Sequence, residues 1–177
     1  VETAAADGAG TAIRVVGGDI GEVRDAARRR GTTITVSRLF FNAPSRQPFL
    51  RSARSEWRGI SDVVTALALT RRDVRLSVVH DGKQVVSLPP APSLQSRLAG
   101  LWGAPFAERL VPVDDVHGAI HVSGLIERPA DVGTSGRRLF LTVNGRAIRD
   151  HGIVRAAEQA YRSTVPAGAR PTLCLDV

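Results

Sequence analysis

Six arginines fall between residues 137 and 162, at Arg137, Arg138, Arg146, Arg149, Arg155 and Arg162, with only Asp150 and Glu158 against them. A guanidinium presents a planar fork of donors that matches phosphate oxygens, so this concentration suits a polyanion such as nucleic acid. Contact of that kind is made with phosphates and carries no sequence information. It should be modest, with Kd on the order of 10⁻⁴ to 10⁻⁶ M, and should fall steeply with salt as counterions are released. A solvated basic surface is the other reading of the same residues, with Arg146 doing no more than solvating a hairpin. The net charge of +7 is almost entirely arginine, Lys83 being the only lysine, and a GC-rich genome would give the same bias.

Other groups with chemical potential are fewer. Gly31 permits close backbone approach and the Thr32 hydroxyl both donates and accepts, which suits a small polar ligand as well as an ordinary strand threonine. His117 and His121 are four apart in a hairpin rather than a helix and lack a third partner of fitting spacing, which argues against zinc. The Asp114-Asp115 pair reads as a solvated strand end. Asp7–Gly10 and Gly133–Gly136 are rich in glycine but lack the Lys-Ser/Thr ending of a phosphate-binding P-loop, so they read as loops. A single cysteine, Cys174, excludes an intrachain disulfide and a cysteine-rich zinc site, and reads as a small buried apolar side chain.

The elements that would position these groups follow from periodicity and turn chemistry. Thr11 to Val16 reads as a strand, Gly17-Gly18 as a turn and Arg28 to Arg30 as an exposed basic run. Thr32, Ile34 and Val36 alternate with Thr33, Thr35 and Ser37, which predicts a half-buried strand running into a turn at Asn42 and Pro44. Phe40, Phe41 and Phe49 around that turn read as core anchors rather than base-stacking platforms. From Ser55, a candidate cap, the spacing of Trp57, Ile60, Val64, Leu67 and Ala68 predicts a helix, with Arg58, Asp62 and Arg71 outside its apolar stripe. Val74 to His80 and Lys83 to Leu88 flank Asp81-Gly82, a two-residue hairpin signal.

Pro89-Pro90-Ala91-Pro92 then stops regular structure and is the expected boundary between a domain over residues 1–90 and another over 91–177. Past it, Ser93 caps a short helix carrying Leu94, Leu98 and Leu101 and ending near Gly103. Leu110 to Val116 and Ala119 to Ile126 form a hairpin through His117-Gly118. Arg137 to Val143 is a strand, Asn144-Gly145 a tight turn requiring positive φ, and Arg146 to Ile148 the return. Asp150 caps a helix to Arg162 with Ile153, Val154, Ala157 and Tyr161 inward, and Pro171 to Val177 is a last strand. Length allows one good core or two small ones, and two partial ones fit this order. A hydrophobic share of 43% with 23% charged residues is ordinary for a soluble protein. No window approaches the roughly eighteen apolar residues of a membrane span, and no signal peptide is evident.

Two stretches resemble a known family. Leu39, Phe40, Phe41, Asn42, Pro44, Arg46, Phe49 and Leu50, after a Gly-Thr strand, are similar to the signature of the MutL DNA mismatch-repair ATPases. Val143 to Asp150, followed by Gly152-Ile153-Val154, looks like that family's Val-Asn-Gly-Arg segment and the helix after it. Ser45-Arg46-Gln47-Pro48 departs from the more basic family pattern and puts a DNA role for that loop in doubt. The resemblance implies an α+β chain, the later part of a GHKL-type (gyrase, Hsp90, histidine kinase, MutL) ATPase α/β sandwich followed by a domain like ribosomal protein S5 domain 2.

The resemblance further implies an ATP-dependent dimeric clamp that binds DNA and couples a MutS-type mismatch sensor to a downstream nuclease and helicase. ATP and Mg²⁺ would be its cofactors in the full-length protein, duplex DNA a weak and non-specific partner, and the bacterial cytoplasm, with the nucleoid, its location. Gly31, Thr32 and Thr33 would form part of the nucleotide pocket, and Arg137, Arg138, Arg146, Arg149 and Arg155 part of the DNA surface. The family's catalytic glutamate, Mg²⁺-holding asparagine, Asp-x-Gly-x-Gly turn and glycine-rich lid do not occur here, nor does its later Asp-Val-Asn-Val-His-Pro segment. The expectation is therefore an internal fragment of the N-terminal ATPase arm, catalytically silent and without cofactors of its own. A standalone S5-like nucleic-acid-binding module and a structural transducer domain of another GHKL ATPase remain as alternatives.

Overall fold

The computed structural model describes residues 1–133, 138–166 and 168–177. Thr134 to Arg137, which hold most of the glycine-rich stretch read as a loop and one of the six arginines, lie outside them, as does Ala167. The chain forms two compact units, Val1–Trp57 and Arg58–Val177. That division falls elsewhere than residues 90 and 91, and it reflects compactness of the backbone rather than composition.

The first unit is a four-stranded antiparallel sheet in the order β3-β2-β1-β4, made of β1 (Glu2–Ala6), β2 (Ala9–Val16), β3 (Asp19–Ala26) and β4 (Gly31–Thr33). A 3₁₀ turn at Pro44–Phe49 follows. Only Ala4 and Ala12 among the unit's apolar residues are buried, while Val15, Ile20 and Val23 stand exposed. The strand expected over residues 32–37 stops at Thr33, and Ile34 and Val36 are 68% and 73% exposed. The register explains this: β4 pairs with β1 as Ala4↔Gly31, Thr3↔Thr32 and Glu2↔Thr33, and the pairing ends there. An alternating pattern makes a half-buried strand only where a neighbour and a covering layer exist.

The aromatic turn also differs from expectation. Phe49 and Phe41 are exposed rather than core anchors. Phe41 instead lies beneath the Arg38 guanidinium, 5.2 Å from ring centroid to cation. Phe40 takes φ 64°, a left-handed conformation that a bulky side chain rarely adopts. Its carbonyl accepts from the Ala43 N–H at 3.0 Å and from Gln47 Nε2 at 3.3 Å, which holds the turn closed.

Helix α1 (Ala53–Thr70) starts one turn earlier than its apolar stripe. Ser52, not Ser55, acts as its cap: Ser52 Oγ accepts from the Ser55 N–H at 3.3 Å, and Glu56 Oε1 reaches back to the Arg51 N–H at 2.9 Å. Ile60 and Leu67 stay exposed, while Ala68 and Leu69 are buried. The second unit continues with the hairpin β5 (Leu76–His80) and β6 (Lys83–Leu88), whose turn residues Asp81 and Gly82 both take positive φ. Helix α2 (Leu94–Trp102) is capped by Ser93, whose side chain accepts from the Ser96 N–H, and a short helix α3 (Ala104–Ala107) follows.

The unit's main sheet has the order β10-β9-β11-β8-β7. Its strands are β7 (Leu110–His117), β8 (Ile120–Glu127), β9 (Leu139–Val143), β10 (Arg146–Ile148) and β11 (Leu173–Asp176), with helix α4 (His151–Ala160) between the last two. His117 pairs with Ile120, so the β7–β8 loop is Gly118-Ala119, one residue beyond the expected turn. β11 enters between β9 and β8, parallel to the first and antiparallel to the second. Leu69, Leu98, Ala107, Leu110, Leu125 and Cys174 form one core, and Val132, Tyr161 and Leu173 another.

Two buried charges organise this unit. Arg97, 1% exposed, donates to the carbonyls of Pro89 (2.9 Å), Arg72 (2.8 Å) and Val74 (3.0 Å), joining α2 to the end of α1 and to the proline segment. Glu127, 2% exposed, accepts from the Arg109 guanidinium and from the Thr172 N–H, while its backbone carbonyl takes the Tyr161 hydroxyl at 2.6 Å.

Candidate functional site

The three residues expected at a nucleotide do not converge on one face. Across the first unit's sheet Thr32, Thr3, Thr11 and Asp25 lie directly opposite one another, and so do Thr33, Glu2, Ala12 and Arg24. Directly paired residues share a face and neighbours along a strand alternate. Thr32 therefore belongs to a polar row on one face, and Gly31 and Thr33 to the other. The Thr32 and Thr3 hydroxyls are 2.8 Å apart, so one donates to the other and acceptor capacity remains on both. Thr33 Oγ1 accepts from Arg28 Nη2 at 3.2 Å, and Arg28 also donates to the Glu2 carbonyl. Arg28 is thus drawn onto the sheet edge, not fully exposed as the basic run suggested. All three residues are exposed.

The arginines of the second unit fall into distinct settings. Arg138 lies with its guanidinium 4.8 Å from both the Trp102 and Phe106 rings, and Trp102 in turn stacks on Phe140 at 5.3 Å. Arg149 makes an ion pair with Asp62 of α1 at 3.2 Å. Arg138 and Arg149 line one groove, whose floor includes Leu69, Trp102 and Phe140. Arg146 is exposed at the start of the edge strand β10, directly after the Asn144-Gly145 turn. Arg155 lines a separate concavity with Arg162 and Arg170. Arg137 lies outside the described residues. The structure therefore brings Arg138 and Arg149 to one groove and leaves Arg146 and Arg155 outside it.

The hairpin that carries Arg146 is held from below. Asn144 and Gly145 take φ 50° and 73°, and Asp176 Oδ1 accepts from the Gly145 N–H at 3.3 Å while the Thr142 hydroxyl donates to the same oxygen. Asp150 Oδ1 accepts from the Ile153 N–H at 2.8 Å and starts α4 as expected, which fixes the backbone on either side of Arg149. Sequence reasoning did not single out Asp62, Arg170 or Asp176. Asp62 left one trace, its position off the apolar stripe of α1.

Titratable groups here serve structure. The Arg71 guanidinium, hydrogen-bonded to Asp73, draws that carboxyl down to about 2, while burial pushes the Cys174 thiol up to about 12 and raises the Tyr161 phenol. Among the described residues no group of three or more His, Cys, Asp or Glu could hold a metal ion, and no helix is long and apolar enough to cross a membrane.

Residues 98–177 match the family model described as DNA mismatch repair protein, C-terminal domain. All 177 residues align at 58% identity with the DNA mismatch repair protein MutL of Gemmatimonas aurantiaca, of whose length they cover 29%. The chain belongs to the MutL family. Solved structures give its fold. The N-terminal domain of a DNA repair protein superposes with a TM-score of 0.82 at 20% identity, over 99% of this chain and 58% of that one. The Aquifex aeolicus MutL ATPase domain complexed with ADP superposes with a TM-score of 0.71 at 20% identity, over 96% of this chain and 62% of that one. The MutL-family chain is accordingly α+β, with the fold of those domains.

Proposed function

We propose that this chain works as part of the N-terminal ATPase arm of a MutL mismatch-repair protein, an ATP-dependent dimeric clamp that binds DNA and couples mismatch recognition to a downstream nuclease and helicase. The observation that carries this reading is 58% identity to a MutL along every residue of the chain. Residues 1–90 belong in this reading to the GHKL ATPase domain and 91–177 to the S5-like domain. Gly31, Thr32 and Thr33 border the nucleotide, with the Thr32 hydroxyl and its Thr3 partner on one face offering a donor and spare acceptors to a purine edge. Mg²⁺ accompanies ATP in the whole protein, a MutS-type sensor is its partner, and the site of action is the bacterial cytoplasm at the nucleoid.

DNA is held along its phosphates by the arginines of the second unit, with Arg146 and Arg155 the most available, Arg149 conditional on its ion pair and Arg138 adjoining, and with Arg137, outside the described residues, a further candidate. Contact with phosphates alone makes the binding weak, sequence-tolerant and salt-sensitive. The test is fluorescence anisotropy of a labelled duplex titrated with the full-length protein at low and moderate salt, beside an Arg146→Glu, Arg149→Glu variant of equal thermal stability. Binding that weakens with salt and collapses in the variant is expected. A folded wild-type protein that ignores duplex at low salt would refute the DNA surface.

A further inference from the structure

Arg149 and Asp62 are 87 positions apart, and both are largely solvent-exposed, at 87% and 57% of their side chains. Their contact nevertheless places Arg149 Nη2 3.2 Å from Asp62 Oδ2. A pair so exposed contributes little to folding, because water screens the attraction and two long side chains lose freedom in holding it. Its larger consequence falls on a polyanion. A phosphate arriving at Arg149 meets a guanidinium whose Nη2 is already engaged, with a carboxylate beside it. Arg146 and Arg155 differ: among the described residues neither side chain has a hydrogen-bond or ion-pair partner.

We propose that Asp62 sets the DNA affinity of this surface, its carboxylate competing with backbone phosphate for Arg149. The inference rests on the DNA reading above. In the closed pair Arg149 adds almost no net positive charge to the groove. Binding a phosphate there exchanges one anion for another and leaves Asp62 unpaired beside the DNA, so the usual gain of a phosphate contact is largely cancelled. Asp62 thus acts as a tuning residue that keeps the surface weak enough to release DNA, and helix α1, which carries it, gains influence over a contact made by the β10–α4 junction.

A double-mutant cycle tests this in the full-length protein, with anisotropy of a labelled duplex across a salt series and an unfolding midpoint for each variant. Asp62→Asn should bind about three- to tenfold more tightly. Its plot of log K against log salt should steepen by about 0.9, one additional phosphate contact. Arg149→Ala should cost less than about twofold in the wild type and remove the whole gain in the Asp62→Asn background. Asp62→Glu, which keeps the carboxylate, should stay near wild type, and Asp62→Ser should reproduce the gain if Asp62→Asn is poorly folded. Wild-type binding with no gain in Asp62→Asn or Asp62→Ser, or an Arg149→Ala loss equal in both backgrounds, would overturn the role of Asp62 and leave the DNA surface standing. Absence of duplex binding by every folded variant would instead overturn the DNA reading, and the proposal with it.

Discussion

Replacing Arg97 with methionine keeps the length and apolar stem of the side chain and removes the guanidinium. Three carbonyls lose a donor at 3.0 Å or closer, Pro89 at 2.9 Å, Val74 at 3.0 Å and Arg72 at 2.8 Å, and the Arg71 carbonyl loses a longer contact at 3.4 Å. They are not equally affected, since the Arg72 carbonyl also accepts from the Ala91 N–H at 2.9 Å and keeps that bond. Two carbonyls are left without the partner shown here, at about 1–3 kcal/mol each, and one charge-assisted bond of about 1.5–3 kcal/mol is lost from the third. Against this stands relief from holding a guanidinium at 1% exposure, with its Nε unpartnered and, among the described residues, no carboxylate bound to it. The net loss expected is about 3–5 kcal/mol. Urea unfolding followed by far-ultraviolet circular dichroism should show a lower midpoint with an unchanged slope, and Arg97→Lys should fall between. An Arg97→Met protein within about 1 kcal/mol of wild type would show that these carbonyls find water instead, and that Arg97 is not what joins α2 to the end of α1.

Gly124 takes φ 146°, and a Cβ there would sit 2.0 Å from the Cys174 carbonyl oxygen, so Gly124→Ala should separate β8 from β11 and yield insoluble or molten protein, readable by the near-ultraviolet spectrum. Burial holds the folded Cys174 thiol at about 12 against an ordinary 9.0, so its contribution to stability is complete below about pH 9 and is lost as pH rises towards 12. The raised Tyr161 phenol acts in the same direction, so urea midpoints should fall above pH 9, and Cys174→Ala should reduce that decline without abolishing it. Arg138→Ala should lower stability by about 0.5–2 kcal/mol through its lost aromatic contacts, whereas Arg146→Ala should stay within about 0.5 kcal/mol of wild type. Duplex binding should show the reverse order, and a larger binding loss in Arg138→Ala than in Arg146→Ala would refute that division of roles.

Sequence reading succeeded where a few adjacent residues decide the backbone. Asp81-Gly82 and Asn144-Gly145 are hairpin turns because positive φ is needed at both positions, and Ser93 and Asp150 cap helices through their own side chains. It failed where distant partners decide. Glu2–Ala6 and Asp19–Ala26 gave no strand signal because their sheet is scarcely covered and few of its side chains had to alternate. Ile34 and Val36 gave a strong signal and form no strand, since β1 offers them no register. Nothing in the sequence singles out Arg97 or Glu127 for burial, yet both are buried. Only the carbonyls of two separate segments, Arg71–Val74 and Pro89, and the guanidinium and amide at Glu127, make their burial tolerable.

The same distinction separates the candidate site residues. Counting arginines treats each as one unit of attraction for phosphate, but a guanidinium acts on a ligand only with the charge and donors its own fold leaves free. Arg138 has given one face to Trp102 and Phe106, and Arg149 has given a donor to Asp62. Arg146 follows a turn fixed by Asp176, yet among the described residues its own side chain has no hydrogen-bond or ion-pair partner. On the proposed DNA reading the surface is therefore weaker than its formal charge, and its strength is adjustable from outside it, because the groups that occupy Arg138 and Arg149 sit on helices α2, α3 and α1. A shift of any of these would change the number of phosphates the surface can hold without altering a single arginine, which is a physical route by which rearrangement within this unit can be felt as DNA affinity.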